Sequence, residues 1–266
     1  MWEPFTATGR RFASSAADSI ALIVAHPDDE VLGLGGQLAG IPRLLLVHVT
    51  DGAPRDGADA HRWSFSTRAA YAQARARELE RALEKAEVLG ARRRALGVVD
   101  QEAIEHLSEL TSLLAEELRA AAAVITHCYE GGHPDHDACA LIVQCACERL
   151  RRSGHTAPAR FEIPSYHARC GRWTTGVFWP AAGCPEKILP LDPGQLARKR
   201  AALAEFTTQQ EVIAAFPLEP ERLRPAPSYD FGRPPPPGEV LYDRFGWRVT
   251  GESWRDQARA AMQGMP

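Results

Sequence analysis

Two short stretches of this chain carry residues whose types and spacing can do chemistry. In the first, Ala25-His26-Pro27-Asp28-Asp29-Glu30 follows five apolar residues, Ile20 to Val24. In the second, Ala123-Val124-Ile125-Thr126 leads toward His133-Pro134-Asp135-His136. His26 and Asp29 are three residues apart, so one turn can point both at one site. Imidazole and carboxylate suit zinc or another divalent first-row metal. Catalytic zinc usually takes three protein ligands plus a water, and His136 is the expected third. Asp28 is then a carboxylate beside the metal but not spent on it, placed to take a proton from a water acidified toward pKa ~7. His133 is free to donate to an oxyanion, with Asp135 orienting it. A held nucleophile, a base and an oxyanion donor together fit hydrolysis of an amide or ester. Asp28, Asp29, Asp135 and Asp137 can also cap helices. Three histidines and four aspartates at two strand ends exceed what capping needs.

These residues need strands to deliver them. A short apolar run ending in ionisable groups reads as a buried strand, and in open α/β sheets ligands bind at the C-terminal ends of the strands. The chain then alternates. A short helix is expected over 31–39, a strand over 43–49 and a loop over 52–59. A long helix over 67–89 should stop at Gly90, with a weak strand over 94–99 after it. Ile104, Leu107, Leu110, Leu114 and Leu118 share one face of a helix over 101–121, and a further helix spans about 137–151. Strand and helix in turn argue for a Rossmann-like three-layer αβα sandwich with a mostly parallel sheet. Beyond residue 155, strands over 160–167 and 174–179 read as an antiparallel edge, and 195–215 as one helix ending before Pro217. The proline-rich stretch from Arg224 to Gly238 should be extended and excluded from a sheet interior.

Composition narrows the function classes. With 31 basic and 34 acidic residues the net charge is −3, which gives no electrostatic basis for nucleic-acid binding. The N-terminal stretch has no apolar segment of a signal peptide. Nowhere do ~18 apolar residues run together, so no membrane span is expected. The six cysteines form no CxxC pair and read as reduced thiols, which points to the cytoplasm.

The pairing of AHPDDE with a downstream HPDH resembles the PIG-L/LmbE-like family of metal-dependent N-deacetylases. Further likeness lies in Val49-Thr50-Asp51-Gly52, in Thr126 through Gly132, and in Phe206–Gln209. The resemblance covers roughly residues 19–215. It implies one domain over 1–266, with a proline-rich extension over 216–266 that could wall the cleft. It implies zinc held by His26, Asp29 and His136, Asp28 as general base and His133 as helper at the carbonyl oxygen. The implied substrate is a small amino sugar of the N-acetylglucosamine type, or its glycoconjugate. Asp51, Asp100, Arg68, Glu130 and His167 are candidates for binding it, with turn capping an equal account of the two aspartates. Tyr129 is poorly placed to polarise a carbonyl, because Glu130 intervenes before His133. His48, His61, His106, His127 and His155 have no partner pattern. Trp63, Trp173, Trp179, Trp247 and Trp254 can stack on sugars or pack in the core.

Three rivals compete. Gly33-x-Gly35-Gly36 with Asp51 suggests a dinucleotide-binding oxidoreductase, but the glycines begin well past the strand-to-helix turn. Two histidines and a carboxylate also describe a non-haem iron site, usually built on an all-β barrel with a tighter first pair. A module that binds sugar through a metal without chemistry would leave Asp28 without a purpose. A metal-dependent amidase or esterase acting on a non-sugar substrate stays open.

Overall fold

A computed structural model describes residues 19–236 and 238–264; the signal-peptide reading concerns residues outside this range. The apolar run becomes β1 (Ser19–Val24), an interior strand of a sheet ordered β3-β2-β1-β4-β5-β9-β8. β2 (Leu44–Pro54), β3 (Arg92–Asp100), β4 (Ala121–His127) and β5 (Ala159–Ile163) run parallel to it. Leu22 pairs with Leu46 on one side and Ile125 on the other.

Burial on both faces explains why β1 is apolar without alternation. Ala21, Ile23 and Ala25 enter one core with α4 (Leu107–Glu117) and α5 (Pro134–Arg152). Ile20, Leu22 and Val24 enter the other with α1 (Asp29–Leu34), α3 (Arg68–Lys85) and α6 (Pro193–Leu203). A further short helix, α2 (Ala58–Arg62), sits in the loop before α3. The result is the three-layer arrangement expected from the sequence. Successive strands wind to one side through β3 and to the other through β5, so the order reverses between β1 and β4. Ligands of open α/β sheets bind at such a switch point, and both motifs leave the sheet there.

Several elements depart from expectation. α3 stops at Lys85, before Gly90: Val88 N–H bonds back to the Leu83 carbonyl and Glu87 takes the left-handed φ of 57° that glycine usually fills. The expected 160–167 strand breaks at Pro164, which offers no N–H, into β5 and β6 (Tyr166–Arg169). β6 pairs with β7 (Arg172–Thr175) across a two-residue turn, Cys170-Gly171, both at positive φ. This hairpin stays off the main sheet. The antiparallel edge is instead β8 (Lys187–Leu189) and β9 (Glu221–Pro225). Arg224 and Pro225 therefore lie inside the sheet, against the expectation. The proline is tolerated as the strand's last residue. The helix read over 195–215 ends at Leu203, because Glu78 draws Thr207 and Thr208 into hydrogen bonds and bends the chain before α7 (Gln210–Ile213).

The C-terminal segment continues into α8 (Gly251–Gly264), a helix missed from the sequence. Its Trp254 is fully buried in the core shared with β1 and α5. Among the described residues no helix is long and apolar enough to cross a membrane.

Candidate metal centre

Each strand end shapes its motif locally. After β1 the chain turns so tightly that Asp28 takes φ 140°, which costs a non-glycine residue about 1–3 kcal/mol. The turn is held from several sides. His26 N–H donates to Asp29 Oδ2 at 2.7 Å, Asp28 N–H donates to Glu30 Oε2, and Glu30 is bonded in turn to His48 at 2.9 Å. Arg75 of α3, buried, donates to the Pro27 carbonyl at 2.7 Å and to Asp28 Oδ2 at 3.3 Å. After β4, the Asp137 carboxylate accepts from the N–H groups of Glu130 and Gly131 and folds the loop over α5. His133 caps that helix, its Nδ1 accepting from the Asp135 N–H, and Pro134 fills the first turn.

The two motifs meet. His26 Nδ1 lies 3.2 Å from Asp29 Oδ2 and 3.2 Å from His136 Nε2, and His136 Nε2 lies 3.3 Å from Asp29 Oδ1. Tetrahedral zinc with bonds of about 2.0–2.1 Å sets its ligand atoms about 3.3 Å apart. His26 Nδ1 and His136 Nε2 stand at that spacing from each other, with one Asp29 oxygen close to each. On its other side, His26 Nε2 faces Asp100 at 3.3 Å and Asp135 at 3.4 Å. A carboxylate behind an imidazole fixes its tautomer and strengthens it as a ligand. Asp28, Asp29, Asp100 and Asp135 are all buried, the Arg75 guanidinium is paired with Asp28, and Asp100 Oδ1 has no hydrogen-bond partner. The donor set and the surplus of buried negative charge fit a divalent cation.

Electrostatics separates the roles. Burial works against the Asp29 charge, yet His136 and His127 hold its carboxyl well below the usual carboxylate range. Burial pushes the Asp28 carboxyl up to about 8, against the pull of Arg75. Burial, and then neighbouring His26, push the His133 imidazole well below its ordinary value. With Nδ1 accepting from the backbone, neutral His133 carries its proton on Nε2, 3.6 Å from Asp100.

Asp28, Asp29, His26, His133, His136 and Asp100 all line one cleft of about 400 Å³. Other candidates fall elsewhere. Asp135 serves His26 and the Gln101 and Ala103 N–H groups more closely than the ring of His133, whose Nδ1 is 4.0 Å away. Glu130 accepts from Ser165 N–H and is bonded to His167 at 2.8 Å; both are buried in this structural pair and neither lines the cleft. Arg68 is paired with Asp51 at 2.7 Å and bonds the Ala53 carbonyl, again outside the cleft lining. Tyr129 donates to the Arg233 carbonyl within an aromatic cluster. The Gly33, Gly35 and Gly36 run packs α1: a Cβ at Gly33 would stand 2.4 Å from Ile163, and one at Gly36 2.5 Å from Leu191. It cradles no phosphate.

Arg75 escaped the sequence reading, and His127 was read there as having no partner pattern. His127 stacks on His136 with ring centres 3.9 Å apart, accepts from Ala25 N–H, and lies 3.3 Å from Asp29. Its place as the last residue of β4 was the available signal.

The sequence profile of PIG-L, GlcNAc-PI de-N-acetylase, matches residues 21–147. This stretch, which holds His26, Asp28, Asp29, Arg75, Asp100, His133 and His136, is similar to that family. No curated protein matches the chain. Among solved structures the fold is similar to the deacetylase Dbv21 of the antimicrobial A40926 pseudoaglycone, with 20% identity, a TM-score of 0.55, and 79% of this chain and 97% of that one covered. It is similar to a triple mutant of a deacetylase of the teicoplanin biosynthetic pathway, with 18% identity, a TM-score of 0.55, and 78% and 97% covered. It is also similar to GalB, the 4-carboxy-2-hydroxymuconate hydratase of Pseudomonas putida KT2440, with 20% identity, a TM-score of 0.52, and 74% and 82% covered. At these identities the likeness is one of fold.

Proposed function

We propose that the protein is a metal-dependent N-deacetylase acting on an N-acetylglucosamine-type sugar or its glycoconjugate, with zinc as its resident ion. The observation that carries this reading is the mutual spacing of the His26, Asp29 and His136 donor atoms beside an unspent Asp28 and a neutral His133. These three residues would hold a divalent ion, which would supply Lewis-acid polarisation and acidify a nearby water. Asp28 accepts a proton from the attacking water as its oxygen adds to the amide carbon. Nε2–H of His133 donates to the oxygen on which negative charge develops. Asp28 returns the proton to the departing nitrogen, the C–N bond breaks, and acetate and a free amine leave. Arg75 and the strained turn keep the Asp28 carboxylate aimed into the cleft throughout. The six cysteines are free thiols, which suits action in the reducing cytoplasm.

The test joins elemental analysis with an acetate-release screen over N-acetylglucosamine conjugates. One divalent ion per chain is expected, lost in His26→Ala. Asp28→Asn should keep the ion while kcat falls by roughly 10²–10⁴. Full turnover in Asp28→Asn would refute its role as base. Hydration of an unsaturated acid without acetate release would place the chain beside the hydratase instead.

A further inference from the structure

Two chains of aromatic rings lead outward from the centre. On one wall Trp247 stands against His133 with ring centres 4.9 Å apart, and Phe245 follows 4.9 Å from Trp247. On the other, Tyr166 stands 5.4 Å from His136, with Trp173 at 5.4 Å and Phe216 at 6.0 Å beyond it. Both chains end in solvent: Phe245 is 45% exposed and Trp173 46%. Val212, 38% exposed, joins them at the mouth. Single exposed apolar side chains are ordinary, but here three of the five large ones exposed among the described residues line one cleft. A contiguous apolar rim of this kind marks a binding surface. All of these residues follow residue 147, so they lie beyond the stretch matched by the family.

Charge restricts what that rim can take. The cleft is lined by Asp28, Asp29, Asp56, Asp59 and Asp100, against Arg75 as its only Arg or Lys among the described residues. Arg75 is already committed to Asp28 and the Pro27 carbonyl. Arg68 is tied to Asp51. One bound divalent ion leaves the lining negative, and such a cleft repels anions as they approach.

We propose that the substrate's aglycone, the portion beyond the acylated sugar, is hydrophobic and bears no anionic group. It seats on the rim of Trp173, Phe216, Phe245 and Trp247, and phosphate- or carboxylate-bearing conjugates are excluded. This inference rests on the deacetylase reading above. It makes substrate choice a property of the chain's C-terminal half.

The test uses the full zinc-loaded chain and three substrates with the same acetylated sugar: octyl N-acetylglucosaminide, N,N'-diacetylchitobiose and N-acetylglucosamine 1-phosphate. Acetate release is measured at low and high salt. Burial of the octyl chain should raise kcat/KM about tenfold or more above the disaccharide. The phosphate should fall at least about tenfold below it, with the deficit shrinking as salt screens the cleft. Trp173→Ala and Phe245→Ala should lower the octyl-to-disaccharide ratio, and Asp56→Asn with Asp59→Asn should raise turnover of the phosphate. A phosphate turned over as well as the octyl glycoside, or a ratio indifferent to the rim variants, would overturn the proposal. If no substrate releases acetate, the deacetylase reading falls, and tryptophan fluorescence still decides the present one. Octyl glucosaminide should quench it, Trp247→Phe should weaken the response, and glucosamine 1-phosphate should give none. Binding of the phosphate without the octyl ligand would count against the rim.

Discussion

Arg75 balances a buried carboxylate, Asp28, held in a strained turn. Its guanidinium reaches from α3 to Asp28 and to the carbonyl of Pro27, and it is buried itself. Removing one partner of a buried ion pair costs about 3–5 kcal/mol, because the other is left without compensation. Arg75→Met should therefore lower stability by that order in urea titration. Adding Asp28→Asn should recover part of the loss, with a coupling of roughly 0.5–3 kcal/mol, since the stranded charge is gone. Simple additivity of the two losses would show that Arg75 acts on the backbone alone. The pair also marks where reading the sequence reaches its limit. His26, Asp28 and Asp29 were legible because local spacing presents them together, and His136 because a second cluster of histidine and aspartate follows its own apolar run. Arg75 arrives from 47 residues away, and His127 from a strand whose pairing with β1 no spacing reveals. Glu130 and His167 were misread for the same reason: each looks like a site residue until the other is brought beside it.

At the scale of elements, β1, β2, β4 and the helices between them were legible because burial on both faces leaves uninterrupted apolar runs. The edge was not. β8 is three residues long and β9 ends in proline, so neither carries a periodic signal, and both are defined by what they pair with. The hairpin of β6 and β7 was read as part of that edge, yet it stands apart and builds one wall of the cleft. It sits directly on the second motif: a Cβ at Gly132 would stand 1.8 Å from the backbone oxygen of Tyr166. Backbone cannot rotate away as a side chain can. Gly132→Ala should accordingly force β6 and the His133 loop apart, costing stability on the order of 3 kcal/mol or more. It should lower metal affinity as well, because His133 and His136 follow at once in the chain. A variant with unchanged metal content and unchanged melting temperature would mean that the hairpin yields freely.

The whole molecule depends on its C-terminal segment more than the sequence suggests. Read from the sequence as a proline-rich extension, it clamps the second motif at three points. Leu241 N–H donates to the Gly131 carbonyl at 2.7 Å, Tyr242 hydroxyl to Asp137 at 3.3 Å, and Trp254 Nε1–H to the carbonyl of Pro134 at 3.0 Å. Pro134 is the first residue of α5, one position after His133 and two before His136. Trp254 also fills the core beside Tyr129 and Phe231. A segment fastened in this way should unfold with the sheet and not before it. Tryptophan fluorescence and far-ultraviolet circular dichroism should trace one coincident urea transition. Trp254→Ala, which opens a large cavity, should move that transition by about 3–5 kcal/mol without splitting it. An early fluorescence transition that leaves bound metal and helical signal intact would show that the tail is a separate appendage. Loss of metal together with the single transition would show that α8 and the candidate metal centre stand or fall together.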